Sequence, residues 1–324
     1  MSDEPSTPTL IDFHGHWFPS NVVDADPAAD LPPSVAAVWP LLLDIDTQLR
    51  DAAAAGIELK VICAPYSSLA WSAHVPLAEI PARVNDTYAE RVAESPDRLA
   101  ALATIDAFRG DEAAEEVRRA VTELHLPGIV VDASQGERLL SAPEARPTLV
   151  AAAELGVPVF AHPVNPPVLP ERYAAEKGLG VLLARGAESA LSTLHLLRAG
   201  VLDELPDLRL VIAGIGAAAL NLSVFLDSPE PDAPRPSDAR SRLYVDTMGF
   251  DAPALRFAVD VVGAEHVVVG SDWPIMWRNA GRDRVEEMIG AAGLDEHDGA
   301  LVAAGNAADL LGLRRTSSAA AASR

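Results

Sequence analysis

The sequence predicts a single (β/α)8 barrel, and three observations carry that expectation. Short apolar, β-branched runs alternate with longer Ala/Leu/Glu/Arg stretches from end to end, which is the signature of repeated βα units around a parallel sheet. The 324 residues, 49% of them hydrophobic and 22% charged, suffice for one large domain with a buried core. The first strand runs into His-Gly-His instead of the Gly-rich phosphate turn that an open doubly wound sheet would show.

The strands are expected at 10–13, 59–64, 99–105, 128–132, 157–162, 208–213, 243–246 and 267–271, eight in all. Between them, helices are expected over 46–55, 81–94, 112–123, 145–155, 189–199 and 253–262, with glycine or proline near most of their ends. Two stretches interrupt the repeat, 19–40 and the Pro-rich 227–236, and both read as loops. One domain then spans 1–315, and the Ser/Ala-rich residues 316–324 read as a disordered tail.

Charge and cysteine content narrow the partners. With 25 Lys+Arg against 47 Asp+Glu the formal charge is −22, a field that repels nucleic-acid phosphates and anionic membranes. A small anionic ligand stays compatible, because a bound dication and local Arg reverse the potential inside a pocket. The one cysteine, Cys63, lies in an apolar run and reads as core. The N-terminus has no export signal and no apolar run reaches the length of a membrane span, so the expected setting is the cytoplasm.

Three strand ends carry the chemistry. In Asp12-Phe13-His14-Gly15-His16 the two histidines stand at i and i+2, so on extended backbone both imidazoles project to one side. In Val157-Pro158-Val159-Phe160-Ala161-His162-Pro163 a histidine again ends an apolar strand, the fifth. Val267-Val268-Val269-Gly270-Ser271-Asp272 puts an acid at the end of the eighth, beside the first once the barrel closes. His14, His16, His162 and Asp272 are therefore the expected ligands of one divalent metal, and three imidazoles with a carboxylate suit Zn²⁺, with Mn²⁺ as the alternative. His74, in the loop 66–78 after strand two, is the candidate proton donor above the metal. His195 reads as a helix-face residue, and His125, His266 and His297 as distant from the active face.

From 8 to 315 the chain resembles the amidohydrolase-related proteins typified by aminocarboxymuconate-semialdehyde and resorcylate-type decarboxylases. The resemblance rests on His14-x-His16, the segment 49–56, Asn85-Asp86, Pro96-Asp97-Arg98, 149–158, His162-Pro163, 200–208, Gly270-Ser271-Asp272-Trp273-Pro274 and 305–312. It breaks after strand six: that family reads Ala-His-Gly-Gly-Gly, and here stands Ala213-Gly214-Ile215-Gly216-Ala217. In the family that histidine activates water or assists the acid, so Gly214 removes a proton-transfer group and is expected to leave space beside the metal.

The resemblance implies a homodimer and a decarboxylase of a small, possibly aromatic, carboxylic acid, with Asp272 moving the proton at carbon. This chemistry needs no activated water and survives Gly214 better than hydrolysis does. A hydrolase or hydratase of the same family, or a barrel that binds metal without turnover, are the alternatives.

Overall fold

The computed structural model describes residues 9–24, 33–168, 171–176, 178–230, 235–276 and 281–313. Eight parallel strands form its centre: β1 (Ile11–His16), β2 (Leu59–Cys63), β3 (Leu99–Ala101, resuming after Leu102 as Ala103–Ile105), β4 (Ile129–Asp132), β5 (Pro158–His162), β6 (Arg209–Ile212), β7 (Tyr244–Asp246) and β8 (Val267–Val268). Neighbours in the chain are neighbours in the sheet. β1, β2 and the first half of β3 pair in order, and the second half of β3 continues through β4, β5, β6 and β7 to β8.

Backbone hydrogen bonds carry the ladder across both gaps. Leu102 N donates to Ile62 O at 2.9 Å within the break in β3. Phe13 N donates to Val269 O at 2.8 Å, Asp272 N to His14 O at 2.7 Å and His16 N to Trp273 O at 2.7 Å, which joins β8 to β1 and closes the ring. The result is the (β/α)8 barrel that the alternating pattern predicts.

Alternation along the strands splits the core in two. Ile11, Phe13, Leu59, Val61, Val130, Phe160, Val211 and Val268 fill the barrel, joined by Ala307, Ala308 and Leu310 of the closing helical turn Asn306–Leu310. Asn306 fixes that turn at the N-terminal ends of the strands by donating to Ala264 O and Val267 O, both at 2.7 Å. The opposite strand faces, among them Leu10, Ile62, Ile105, Ile129, Val159, Leu210 and Val245, pack under the helical layer. Each such fully buried side chain contributes roughly 1.5–3 kcal/mol.

The layer comprises α1 (Pro33–Leu43), α2 (Ile45–Ala54), α3 (Ile80–Glu94), α4 (Asp111–Thr122), α5 (Arg146–Leu155), α6 (Leu179–Arg198), α7 (Ala252–Val262) and α8 (Arg282–Ala291), with shorter turns between. Their boundaries follow local chemistry. Asp44 caps α2 by accepting from Thr47 N at 2.9 Å, and Asp251 caps α7 by accepting from Ala254 N at 3.1 Å. Gly156, at φ 66°, ends α5 in the left-handed turn that delivers the chain to β5.

Two expectations need correction. The stretch 19–40, read as loop, contains most of α1, whose Trp39 and Leu42 are buried. Pro40 disguised it, because an interior proline removes a helical hydrogen bond and reads as a break; burial of the apolar face outweighs that loss. The helix expected at 189–199 begins at Leu179, and the glycines at 180 and 186, poor helix formers, sit in close packing inside it. The stretch 227–236 is irregular where it is described, and its last residue, Pro236, opens a 3-10 turn reaching Arg242. Residues 231–234 of that stretch and the tail 316–324 lie outside the described residues.

Candidate metal centre

At the C-terminal ends of β1, β5 and β8 the side chains of His14, His16, His162 and Asp272 converge, all buried, with their donor atoms within 4.8 Å of one another. His14 Nε2 lies 3.2 Å from His16 Nε2, and His162 Nε2 lies 3.3 Å from the same atom. Asp272 Oδ1 is 2.9 Å from His16 Nε2 and 3.5 Å from His14 Nε2. The three rings stand at 83° to 88° to each other, so their edges point at one centre. These separations match the edge of a tetrahedron with metal–ligand bonds of roughly 2.0–2.1 Å, about 3.3–3.4 Å.

Surrounding groups fix which nitrogen faces that centre. His14 Nδ1 donates to Asp246 Oδ2 at 2.7 Å and His16 Nδ1 donates to Cys63 O at 3.1 Å, which leaves each Nε2 as the ring nitrogen that faces the centre. Asp246 is itself held, its Oδ1 accepting from Gly214 N at 2.7 Å and Met248 N at 2.8 Å. Below the cluster Phe160 meets the His14 ring edge-on at 4.7 Å and Phe13 packs against Phe160, giving an apolar floor.

Asp272 is held in an unusual backbone conformation, with φ at +58°. An L-residue adopts that region at a cost, and here the surroundings enforce it. Asp12 accepts from Ser271 N at 3.0 Å, from Ser271 Oγ at 2.6 Å and from His14 N at 3.3 Å, so one carboxylate pins the end of β8 to the histidine strand. Buried Lys60, 3.5 Å from Asp12, balances its charge behind the strand.

The electrostatics suit a cation. Burial drives His162 well below the ordinary histidine range, and the neighbouring His16, His14 and Arg185 push the same way, so it presents a neutral imidazole. Burial also lowers His16, but Cys63 and Asp272 beside it prevail and raise it to about 10. A cation arriving at this site therefore displaces a proton. Burial favours a protonated Asp272; the hydrogen bond from His16 and the charges of His14, His16 and Arg185 outweigh it and hold the carboxylate below its usual range. Three imidazoles and one ionised carboxylate, buried and aimed at one point, fit a divalent metal.

The sequence pattern finds all four of these residues, and the structure brings them together. His74 is not part of this cluster. Its imidazole is 41% exposed, lies 3.5 Å from Asp24, and makes no hydrogen bond or ion pair with the four donors among the described residues. His195, His125 and His297 are exposed, and His266 meets the Tyr244 ring edge-on just before β8.

Gly214 also departs from expectation. A Cβ there would lie 2.5 Å from Met248 O and 2.7 Å from Asp246 O, so backbone and the Phe250 ring fill the space expected beside the metal. Asp246 and Arg185 escape the sequence reading. Asp246 ends β7 just as the other acids and histidines end their strands, a signal that could have found it; Arg185, on α6, gives none.

Fold and site together define a metal-dependent (β/α)8 enzyme whose centre lies at the C-terminal mouth of the barrel. The chain belongs to the Amidohydrolase family, whose sequence profile matches residues 11–313. It is 31% identical over 261 residues to the gamma-resorcylate decarboxylase of Rhodococcus jostii, covering 73% of this chain and 78% of that one. It superposes on the crystal structure of 2,6-dihydroxybenzoate decarboxylase from Rhizobium with a TM-score of 0.76 at 26% identity, covering 94% and 98% of the two chains. A dihydroxybenzoic acid decarboxylase from a Polaromonas species, with bound manganese and the inhibitor 2-nitroresorcinol, shares the fold at a TM-score of 0.75 and 24% identity, over 94% and 97% of the chains.

Proposed function

We propose that this chain is a metal-dependent carboxy-lyase that releases CO2 from a small aromatic carboxylic acid, and that it works as a cytoplasmic homodimer. The buried cluster of three imidazoles and one carboxylate carries the reading, in a chain whose relatives are aromatic acid decarboxylases. His14, His16, His162 and Asp272 hold the metal. The imidazole-rich set favours Zn²⁺, and the manganese in the Polaromonas relative supports Mn²⁺ as the alternative. When bound, the metal supplies a positive charge that chelates the acid and stabilises negative charge on its oxygens.

The protein's own groups do the rest. The apolar floor of Phe13 and Phe160 keeps water from beneath the cluster, and Asp246 holds the His14 ring in place. Asp272, ionised at rest, takes up one proton from solvent while the substrate enters as its carboxylate. It gives that proton to the ring carbon as the carbon–carbon bond breaks, the bonding pair stays with the ring, and CO2 leaves. No step requires an activated water. This favours the lyase over a hydrolase, because Gly214 carries no side chain to activate one.

The test is a panel of hydroxylated benzoic acids scored for CO2 release, with protein loaded with Zn²⁺ or with Mn²⁺ and its metal content measured. Release from at least one acid is expected. Asp272→Asn should lower the rate about a hundredfold or more while lowering metal content far less, because three imidazoles remain. Stoichiometric metal with no CO2 from any acid would instead indicate a barrel that binds without turnover.

A further inference from the structure

Beyond the metal cluster, Arg185 is a barrel-mouth cation with hydrogen-bonding capacity to spare among the described residues. Arg185, the seventh residue of α6, donates from Nη2 to Pro163 O at 2.6 Å, directly after the ligand His162. Among the described residues this is its one hydrogen bond. A guanidinium has five N–H donors in a fixed fork, so most of that fork is uncommitted. Lys60, a cation whose charge also acts with Asp272, is spent on Asp12 behind β1.

Packing holds Arg185 at the mouth. A Cβ on Gly186 would lie 2.8 Å from Ile215 O, and one on Gly216 would lie 2.5 Å from Ser189 Oγ. The absence of side chains at these two glycines lets α6 press onto the turn after β6, which fixes the adjacent Arg185. Its charge is felt by His162 and Asp272 and by the buried Asp132 at the end of β4. Half-buried there, it acts in a medium less screening than water.

We infer that Arg185 binds the carboxylate of the substrate and selects acids over neutral phenols. The inference rests on the lyase reading for its substrate class and deepens it. A permanently charged guanidinium cannot donate or take a proton near neutral pH, so it does not replace a catalytic histidine. It can receive a carboxylate through two parallel N–H···O bonds, a geometry that neither an imidazole nor a lysine offers. With a divalent metal in place, the metal and Arg185 together outweigh Asp272 and Asp246, so an anion is drawn into a mouth that opens from a strongly acidic surface.

The competing role for Arg185 is a strut that holds the Pro163 carbonyl and so positions His162. Calorimetric titration of the metal-loaded protein with benzoate and, separately, with phenol distinguishes the two. Arg185→Gln should weaken benzoate about ten- to hundredfold, the range for losing a charge-assisted hydrogen bond, with phenol affinity and metal content nearly unchanged. Arg185→Lys should recover part of the loss, since it keeps the charge and loses the fork. Unchanged benzoate affinity in Arg185→Gln, or no benzoate binding by the wild-type protein, overturns the inference. So does parallel weakening of benzoate and phenol with loss of metal, the mark of a strut. The readout needs no turnover: benzoate binding that depends on Arg185 without CO2 release from any acid would keep the inference and remove the lyase.

Discussion

Single residues in this barrel mouth are tuned by burial against partners, and Asp132 shows it outside the metal cluster. It is 3% exposed; burial raises its carboxyl to about 7, against the two hydrogen bonds it accepts from Ser67. Its folded-state value thus lies above the unfolded one of about 3.9. The stability it contributes is full below the unfolded value and is lost as pH rises through about 7. Asp132→Asn removes this dependence. Thermal or urea unfolding of metal-free protein should therefore show the variant gaining on wild type by about 2 kcal/mol between pH 5 and pH 8. A stability difference that is flat with pH would show that Asp132 is ionised throughout.

At the scale of elements, strands deliver the chemistry and the turns after them decide what fits. The end of β1 supplies two imidazoles, β5 one and β8 the carboxylate. The turn after β6 has no room for a side chain at its first residue, Gly214, whose N–H also holds Asp246. Gly214→Ala should therefore push the turn away from β7, destabilise the protein by about 1–3 kcal/mol and loosen the Asp246–His14 pair. Chemical denaturation together with metal affinity reads both effects, and a variant as stable as wild type would show that the turn yields freely. The same crowding means that a histidine placed at 214 probes backbone strain before it probes catalysis.

At the scale of the molecule, exposed apolar side chains on α6 and the segment beside it are candidates for the contact of the proposed homodimer. Leu179, Val181, Leu183 and Leu191 are exposed on α6, and Leu222, Val224 and Phe225 are exposed on the segment packed beside it. Phe225 is 81% exposed, which in a chain with 22 excess negative charges favours cover by a like apolar surface. The homodimer reading expects a sedimentation mass near twice 34.1 kDa, and Leu183→Glu with Phe225→Glu should return it to monomer without loss of metal. A monomer in the wild type would remove that reading.

Strand count, order and the four donors were legible in the sequence, because they rest on local chemistry. A parallel strand buried on both faces must be a short apolar run, and a polar residue closing such a run has nowhere to go but the barrel mouth. That reasoning reaches His14, His16, His162 and Asp272 without any long-range contact, and the helix caps at Asp44 and Asp251 are local in the same sense. What only the tertiary structure decided depends on neighbours far apart in the chain. The Asp12–Ser271 pin, the Asp246–His14 pair, the course of α1 across Pro40 and the placement of Arg185 beside Pro163 each join residues brought together by barrel closure or helix packing. The surroundings of His74 and of Gly214 are decisions of the same kind. A loop's reach and the volume beside a glycine are set by surrounding backbone, and no local pattern records them.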